Sequence, residues 1–370
     1  MDPAAAPQLI SDAEIEDTIP APTTLSESQS SPPQTSPLLF PPFSHSFEAH
    51  LDCIYSLALT NSYLVTASRD KTIRVWSLAT QTLAYPPLVG HTLSSICVAV
   101  YEPKDLLFSG GADGALILWQ LSTGKRLVSL TPVPESSILS LACSDKYLVG
   151  GFKDNVAVVW EMSQFPPSKL GLRQVDGDIG DDNGVVEEVA TLRGHTAAVN
   201  SVLIHPANTT ILTGSGDRII HIYSTETWAC MRSIKGHTKG ISALSLSLSA
   251  TKIISASSDQ SIRIWDFETG VEEACLQGHR NLVRTLCVVR NAGGEEIIIS
   301  GSYDESILVW RLAAGGEEWD MKSKVTIPEL LPEPGMQGET RRVFKVLCDG
   351  KRIYCASQAK VVVAWELGTR

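Results

Sequence analysis

Short apolar runs of alternating character recur along this chain, each opened by Asp and closed six residues later by an aromatic side chain. The copies are DKTIRVW (Asp70 to Trp76), DGALILW (Asp113 to Trp119), DNVAVVW (Asp154 to Trp160), DRIIHIY (Asp217 to Tyr223), DQSIRIW (Asp259 to Trp265) and DESILVW (Asp304 to Trp310). A seventh, AKVVVAW (Ala359 to Trp365), keeps the apolar run and the Trp without the Asp. Alternation of period two reads as β-strand. Successive closing aromatics lie 43, 41, 63, 42, 45 and 55 residues apart, which counts seven repeats with two long connections. Self-similarity at about 40–45 residues predicts an all-β array of four-stranded units, a seven-bladed β-propeller.

Each repeat follows one grammar: a His near its start, an alternating strand, a turn, a strand ending in small residues before Asp, and the aromatic-closed strand. The histidines are His50, His91, His195, His237 and His279, four of them preceded by Gly90, Gly194, Gly236 and Gly278. These GH…D…W units resemble the WD-repeat (WD40) family over roughly residues 43–367. The resemblance implies that the strand before each His is the outer strand of the preceding blade. An N-terminal strand around Phe43–Phe47 is then expected to pair with the C-terminal blade and close the ring, which removes exposed sheet edges.

The resemblance also implies a hydrogen-bonded tetrad inside each blade: the His, a Ser or Thr four residues before the Asp, the Asp and the Trp. Four blades carry the whole set: His50, Thr66, Asp70 and Trp76; His91, Ser109, Asp113 and Trp119; His237, Ser255, Asp259 and Trp265; His279, Ser300, Asp304 and Trp310. Blade four has His195, Thr213 and Asp217 with Tyr223 in place of Trp. Blade three keeps Asp154 and Trp160 but has Gly150 at the hydroxyl position and no repeat His. Blade seven keeps only Trp365, with Cys355 and Ala359 at the other positions. His with Asp can do acid–base chemistry, but near-identical constellations repeated around a ring read as structure, because buried polar groups need partners.

Of the 370 residues, 43% are hydrophobic and 19% charged, enough apolar material for a large core. Residues 1–42 are rich in Pro, Ser, Thr and Ala and read as a disordered acidic tail, with the propeller running over 43–370. The net charge of −11 is uneven: residues 1–47, 162–190 and 313–338 carry −6, −4 and −3, leaving the repeat body near +2. Insertions are expected near 162–190 and 313–340. The absence of a dense Lys/Arg run speaks against direct nucleic-acid binding, and no apolar run is long enough for a membrane span. Eight cysteines, the closest pair seven apart, show no zinc or redox spacing and read as reduced, intracellular thiols. Asp176, Asp178 and Asp182 alternate as in a calcium loop but lack its bidentate Glu. Neither metal nor cofactor is expected, and no phosphate loop, nucleophile elbow or zinc helix points to an enzyme.

Function in repeat proteins sits on loops over a rigid frame. Family topology implies a top face at which two positions per blade reach the channel rim: the residue before each Asp, and the residue after the first apolar position of the innermost strand. From blade one to seven these are Arg69 and Tyr55, Ala112 and Cys97, Lys153 and Leu139, Gly216 and Asn200, Ser258 and Ser242, Tyr303 and Arg284, and Gln358 and Phe344. Arg342 lies two residues before Phe344. Tyr and Arg are enriched in interface hot spots, and Arg reads carboxylate or phosphate in bidentate fashion. The expected site on blades six, seven and one is therefore Tyr55, Arg69, Arg284, Tyr303, Arg342 and Phe344, for an acidic or phosphorylated segment. The acidic segment 329–339 is expected to project beside it. The whole reads as a noncatalytic scaffold or adaptor that binds other proteins or peptides, monomeric within a larger complex of the cytoplasm or nucleus. Two alternatives are substrate recognition linked to ubiquitin ligation, and a nuclear RNA-processing, ribosome-assembly or chromatin subunit.

Overall fold

A computed structural model describes residues 37–133, 135–165, 186–291, 293–312, 319–326 and 341–367. These residues form seven four-stranded sheets. The first blade shows the plan: Ile54–Leu59, Tyr63–Ser68, Thr72–Ser77 and Leu88–Val89, each antiparallel to the next. The remaining innermost strands are Ser95–Tyr101, Ile138–Cys143, Val199–Ile204, Ile241–Leu246, Val283–Arg290 and Val343–Cys348. Apolar burial falls off outward along each blade. Leu106–Gly111, second in blade two, is buried throughout, whereas the outer strand Cys230–Lys235 of blade four is exposed at most positions.

The core is divided into seven clusters, each shared by two neighbouring blades. Blades one and two enclose Val75, Ile73, Leu107 and Trp119; blades six and seven enclose Ile299, Val309, Val346 and Trp365. The decisive cluster joins the last blade to the first, with Tyr354 and Val362 against Ile54, Leu64 and Trp76. The ring is closed. The small residues that precede each Asp follow from this packing. A Cβ placed on Gly110, Gly151, Gly214 or Gly301 would come within 2.7, 2.8, 2.8 and 2.5 Å of atoms of Ile138, Val199, Ile241 and Val343 of the next blade.

The strand that completes blade seven lies upstream of the expected Phe43–Phe47. It is Leu38–Phe40, paired in the order Leu38 with Ala364, Leu39 with Val363 and Phe40 with Val362. The two prolines that follow lack the N–H that a ladder needs, so Phe43–Glu48 turns into a 3-10 helix with Phe43 and Phe47 exposed. The ring therefore begins inside the segment 1–42 assigned to the tail; residues 1–36 lie outside the described residues.

Within the insertions, Met162–Gln164 forms a 3-10 turn, and Phe165 packs edge-on against Phe108 at 5.4 Å. Ala190–Leu192 and Trp319–Thr326 are the outer strands of blades three and six. The expectations for Asp176, Asp178 and Asp182 and for segment 329–339 fall outside the described residues. Among the described residues no helix is long and apolar enough to cross a membrane, and no group of three His, Cys, Asp or Glu could hold a metal ion.

Candidate interaction surface at the channel mouth

In every blade the innermost strand breaks register once, at its start. The pairing jumps from Ile54 to Ser56, Ser95 to Cys97, Ile138 to Ser140, Val199 to Ser201, Ile241 to Ala243, Val283 to Thr285 and Val343 to Lys345. A bulge leaves one residue unpaired and re-aims its side chain. The seven skipped residues are Tyr55, Ile96, Leu139, Asn200, Ser242, Arg284 and Phe344. The residue before each Asp position is tied beside them by its N–H: Arg69 to the Cys53 carbonyl at 2.9 Å, Ala112 to Ser94 at 2.8 Å, Tyr303 to Leu282 at 3.1 Å and Gln358 to Arg342 at 3.0 Å, with the same bond in the other three blades. Two concentric sets of side chains thus ring one end of the channel. Blade two departs from expectation here: Ile96 is at the rim, and Cys97 lies one step below, because the polar Ser95 fills the buried position that an apolar residue holds elsewhere.

Behind the rim, the tetrads fix the loops that carry it. His50 Nδ1 lies 2.8 Å from Asp70 Oδ2 and its Nε2 2.7 Å from Thr66 Oγ1, to which Trp76 Nε1 donates at 3.0 Å. Asp70 also accepts the Leu51 and Thr72 N–H groups, each at 2.9 Å, so one carboxylate pins both the His loop and its own turn. The arrangement repeats at His91, His237 and His279, with His to Asp separations of 3.1, 2.9 and 3.0 Å. In blade four His195 reaches Asp217 at 2.8 Å and Thr213 at 2.7 Å, while Tyr223 donates to the Arg193 carbonyl at 3.1 Å. Among the described residues the Asp154 carboxylate of blade three makes no hydrogen bond, and its N–H donates to Ser136 Oγ at 3.2 Å.

Burial alone would raise these carboxyls. The hydrogen bond from each histidine, its charge and the backbone N–H donors outweigh that effect and hold Asp113 and Asp217 at about 2. Asp70, Asp259 and Asp304 are likewise well below the ordinary carboxylate range. Burial pulls the His50 imidazole below its ordinary value in spite of Asp70. The sign follows from proton linkage. A depressed carboxyl stabilises the fold fully above its unfolded value near ~3.9, and that stability is lost as pH falls through the folded value. The unfolded chain also protonates His50 first, from about pH 6.5 downward, which acts in the same direction. Urea unfolding should therefore show a shallow loss of stability below about pH 6.5 and a steep one between about pH 4 and 2. A free energy that stays flat between those limits would contradict the tetrad geometry.

The six residues expected at the site occupy one arc of the mouth. Phe344 is central, edge-on to Tyr55 at 5.3 Å and to Tyr303 at 5.7 Å. The exposed Arg342 guanidinium lies 5.1 Å over the Tyr303 ring. Burial pushes the Tyr55 phenol up to about 12, with Arg69 pulling the other way, so Tyr55 carries a neutral hydroxyl near pH 7. Arg69 is 40% exposed and faces Asp52 at 3.8 Å, a carboxylate the sequence reading passed over. Arg284 is the least available, half-buried with Nη1 3.4 Å from the Ser242 carbonyl. The aromatics thus stack on one another while Arg342 and Arg69 stay accessible. A residue also missed is Lys345, next to Phe344 and turned below the rim; its signal was a long cation in a column of small residues.

Residues 42–77, 83–120, 186–224, 228–266 and 270–311, just over half of the chain, match the model of the WD domain, G-beta repeat family. The chain belongs to the WD40 family. The two blades of this WD40 propeller whose three inner strands lie outside the matched stretches, three and seven, are the two without a repeat His. Among curated relatives, the WD repeat, SAM and U-box domain-containing protein 1 of Gallus gallus is 40% identical over 87 residues, 23% of this chain and 18% of that protein. The target of rapamycin complex subunit LST8 of Mus musculus is 26% identical over 174 residues, 46% of this chain and 49% of the relative. The sterol regulatory element-binding protein cleavage-activating protein of Xenopus laevis is 30% identical over 152 residues, 41% and 11%. The WD40 chain thus spans less than half the length of each. Among solved structures, the WD40 β-propeller domain of Doa1 superposes with a TM-score of 0.67 at 20% identity, covering 86% of this chain and 94% of that one. That likeness supports the fold alone.

Proposed function

We propose that this WD40 chain is a noncatalytic scaffold that captures an acidic or phosphorylated segment of a partner protein at the channel mouth over blades six, seven and one. Propellers of this family generally serve as interaction scaffolds within complexes. The observation that carries the finer reading is the continuous surface of Tyr55, Phe344, Tyr303 and Arg342, flanked by Arg69. Its rings supply rigid contact area at low entropic cost, and its guanidinium groups supply paired donors for an oxyanion. Blades four and five offer only Gly216, Asn200, Ser258 and Ser242 at the same positions.

Replacing Arg69, Arg284 and Arg342 together by Ala should lower partner capture by about tenfold or more, since hydrogen bonds to charged groups contribute roughly 1.5–3 kcal/mol each. Affinity purification of both forms, quantified by mass spectrometry and paired with a melting curve, reads this out. Equal recovery from a folded triple variant would refute the site. A second reading, substrate recognition tied to ubiquitin ligation, draws on the U-box in the name of the chicken relative; co-purification of ligase components in the same experiment would favour it. Ribosomal precursors or spliceosomal proteins in the same eluate would favour the nuclear alternative.

A further inference from the structure

One step below the rim, the inner wall breaks its own repeat at a single place. Six blades have a small residue there: Ser56, Cys97, Ser140, Ser201, Ala243 and Thr285. Blade seven has Lys345. Where this residue bears a hydroxyl, it clasps the next blade. Ser56 Oγ accepts the Val98 N–H at 3.4 Å, Ser140 that of Val202 at 3.2 Å, Ser201 that of Leu244 at 3.0 Å and Thr285 that of Val346 at 3.2 Å. The last clasp sets blade six against blade seven and brings Arg284 beside Lys345.

Neither cation is paired with a carboxylate among the described residues. Arg284 Nε is buried without a hydrogen-bond partner, and Nη1 has only its long contact with the Ser242 carbonyl. Lys345 forms no hydrogen bond or ion pair among the described residues. Burial depresses its amine and Arg284 depresses it further, while Cys97, across the channel on blade two, and Cys287 act in the opposite sense. Cys97 in turn lies within electrostatic reach of both cations. Two neighbouring, half-buried cations without a carboxylate partner among the described residues disfavour each other's charge and attract an anion.

We propose that Lys345 and Arg284 form an oxyanion site inside the channel, beneath the aromatic lip, that receives the phosphate or carboxylate carried by the captured segment. This rests on the reading of the mouth given above and assigns its charged group a seat. The guanidinium offers a planar fork and the ammonium a mobile point charge, a combination suited to a tetrahedral oxyanion with several acceptor oxygens. The mouth arginines then steer and hold the segment, and the inner pair reads whether it bears the anion.

The test uses the full chain, with a degenerate phosphoserine peptide library and inorganic phosphate as separate probes. Trace acetylation of Lys345, followed by mass spectrometry, should slow several-fold with the library, and Arg284→Met should abolish that protection. Lys345→Met should weaken library binding by about tenfold, Lys345→Arg should restore most of it, and the exposed Lys322→Met should leave it unchanged. Because it removes an unpaired cation from the wall, Lys345→Met should also unfold at equal or higher urea, a result that a structural role for the lysine would reverse. Wild-type binding by Lys345→Met, with capture lost in an Arg69→Ala, Arg342→Ala double variant, overturns this inference and leaves the mouth reading standing. Wild-type binding by both overturns both. Protection of Lys345 by inorganic phosphate but not by the library assigns the site to a free oxyanion and overturns its role in segment capture.

Discussion

Asp259→Ala should lower the unfolding free energy by about 3–5 kcal/mol, the range for breaking a buried, charge-assisted network. Asp154→Ala, the same substitution at the same motif position of blade three, should cost about 1 kcal/mol or less. The difference lies in what each carboxylate holds. Asp259 Oδ2 takes the His237 Nδ1–H at 2.9 Å and the Thr238 N–H at 3.0 Å, and Oδ1 takes the Ser261 N–H at 3.0 Å and hydroxyl at 2.6 Å. Its removal strands a buried imidazole whose other nitrogen is already committed to Ser255 at 2.7 Å, and it releases the loop before blade five's innermost strand. Water cannot easily replace these bonds, because the His237 ring is buried. Asp154 has no histidine to orient, so its loss removes no such partner. Urea unfolding of the two variants beside wild type decides the matter, and equal destabilisation would contradict the distinction between the blades.

That pair of variants also marks how far the sequence could be read. Asp to Trp spacing and repeat period were local, so blade count followed from counting, while strand order and the tetrads came from the resemblance to the WD-repeat family. Three features were not local. The closing strand is only Leu38, Leu39 and Phe40, too short for an alternating pattern and set against Pro41 and Pro42, so it read as tail. The rim position of blade two was shifted by one because Ser95, a polar residue at 0% exposure, occupies the site that counting by apolar residues would skip. Mutual stacking of Tyr55, Phe344 and Tyr303 joins three blades whose contacting residues lie some 40 to 290 positions apart, which no local pattern encodes. Lys345 was hidden for a related reason. Strand alternation gives a side chain's direction but not whether the space there holds water, a partner or another cation.

Phe40→Ala should cost about 3–5 kcal/mol, the usual range for emptying a buried aromatic site, and its damage should be concentrated at the seam of the ring. Phe40 is 1% exposed and packs with Ile54, Leu64 and Trp76 of blade one and with Tyr354 of blade seven, whose ring centroid lies 6.1 Å away. Leu39 faces the opposite side, toward Val343, Val363 and Trp365, so the three-residue strand is gripped from both neighbouring cores. Blade seven is also the blade with least internal support, since Cys355 and Ala359 stand where a tetrad would have its hydroxyl and its carboxylate. Hydrogen exchange should rise first at Val362 and Ala364, the partners of the lost strand, and last in blade two. The freed edge should make the variant associate in a concentration-dependent way. Phe47→Ala, seven residues on and 80% exposed, supplies the control and should shift stability by less than about 0.5 kcal/mol. Because blade seven presents Arg342, Phe344 and Lys345, loosening the seam should weaken partner capture before the chain unfolds globally. Capture that persists undiminished while Val362 and Ala364 exchange freely would show that the mouth does not depend on ring closure.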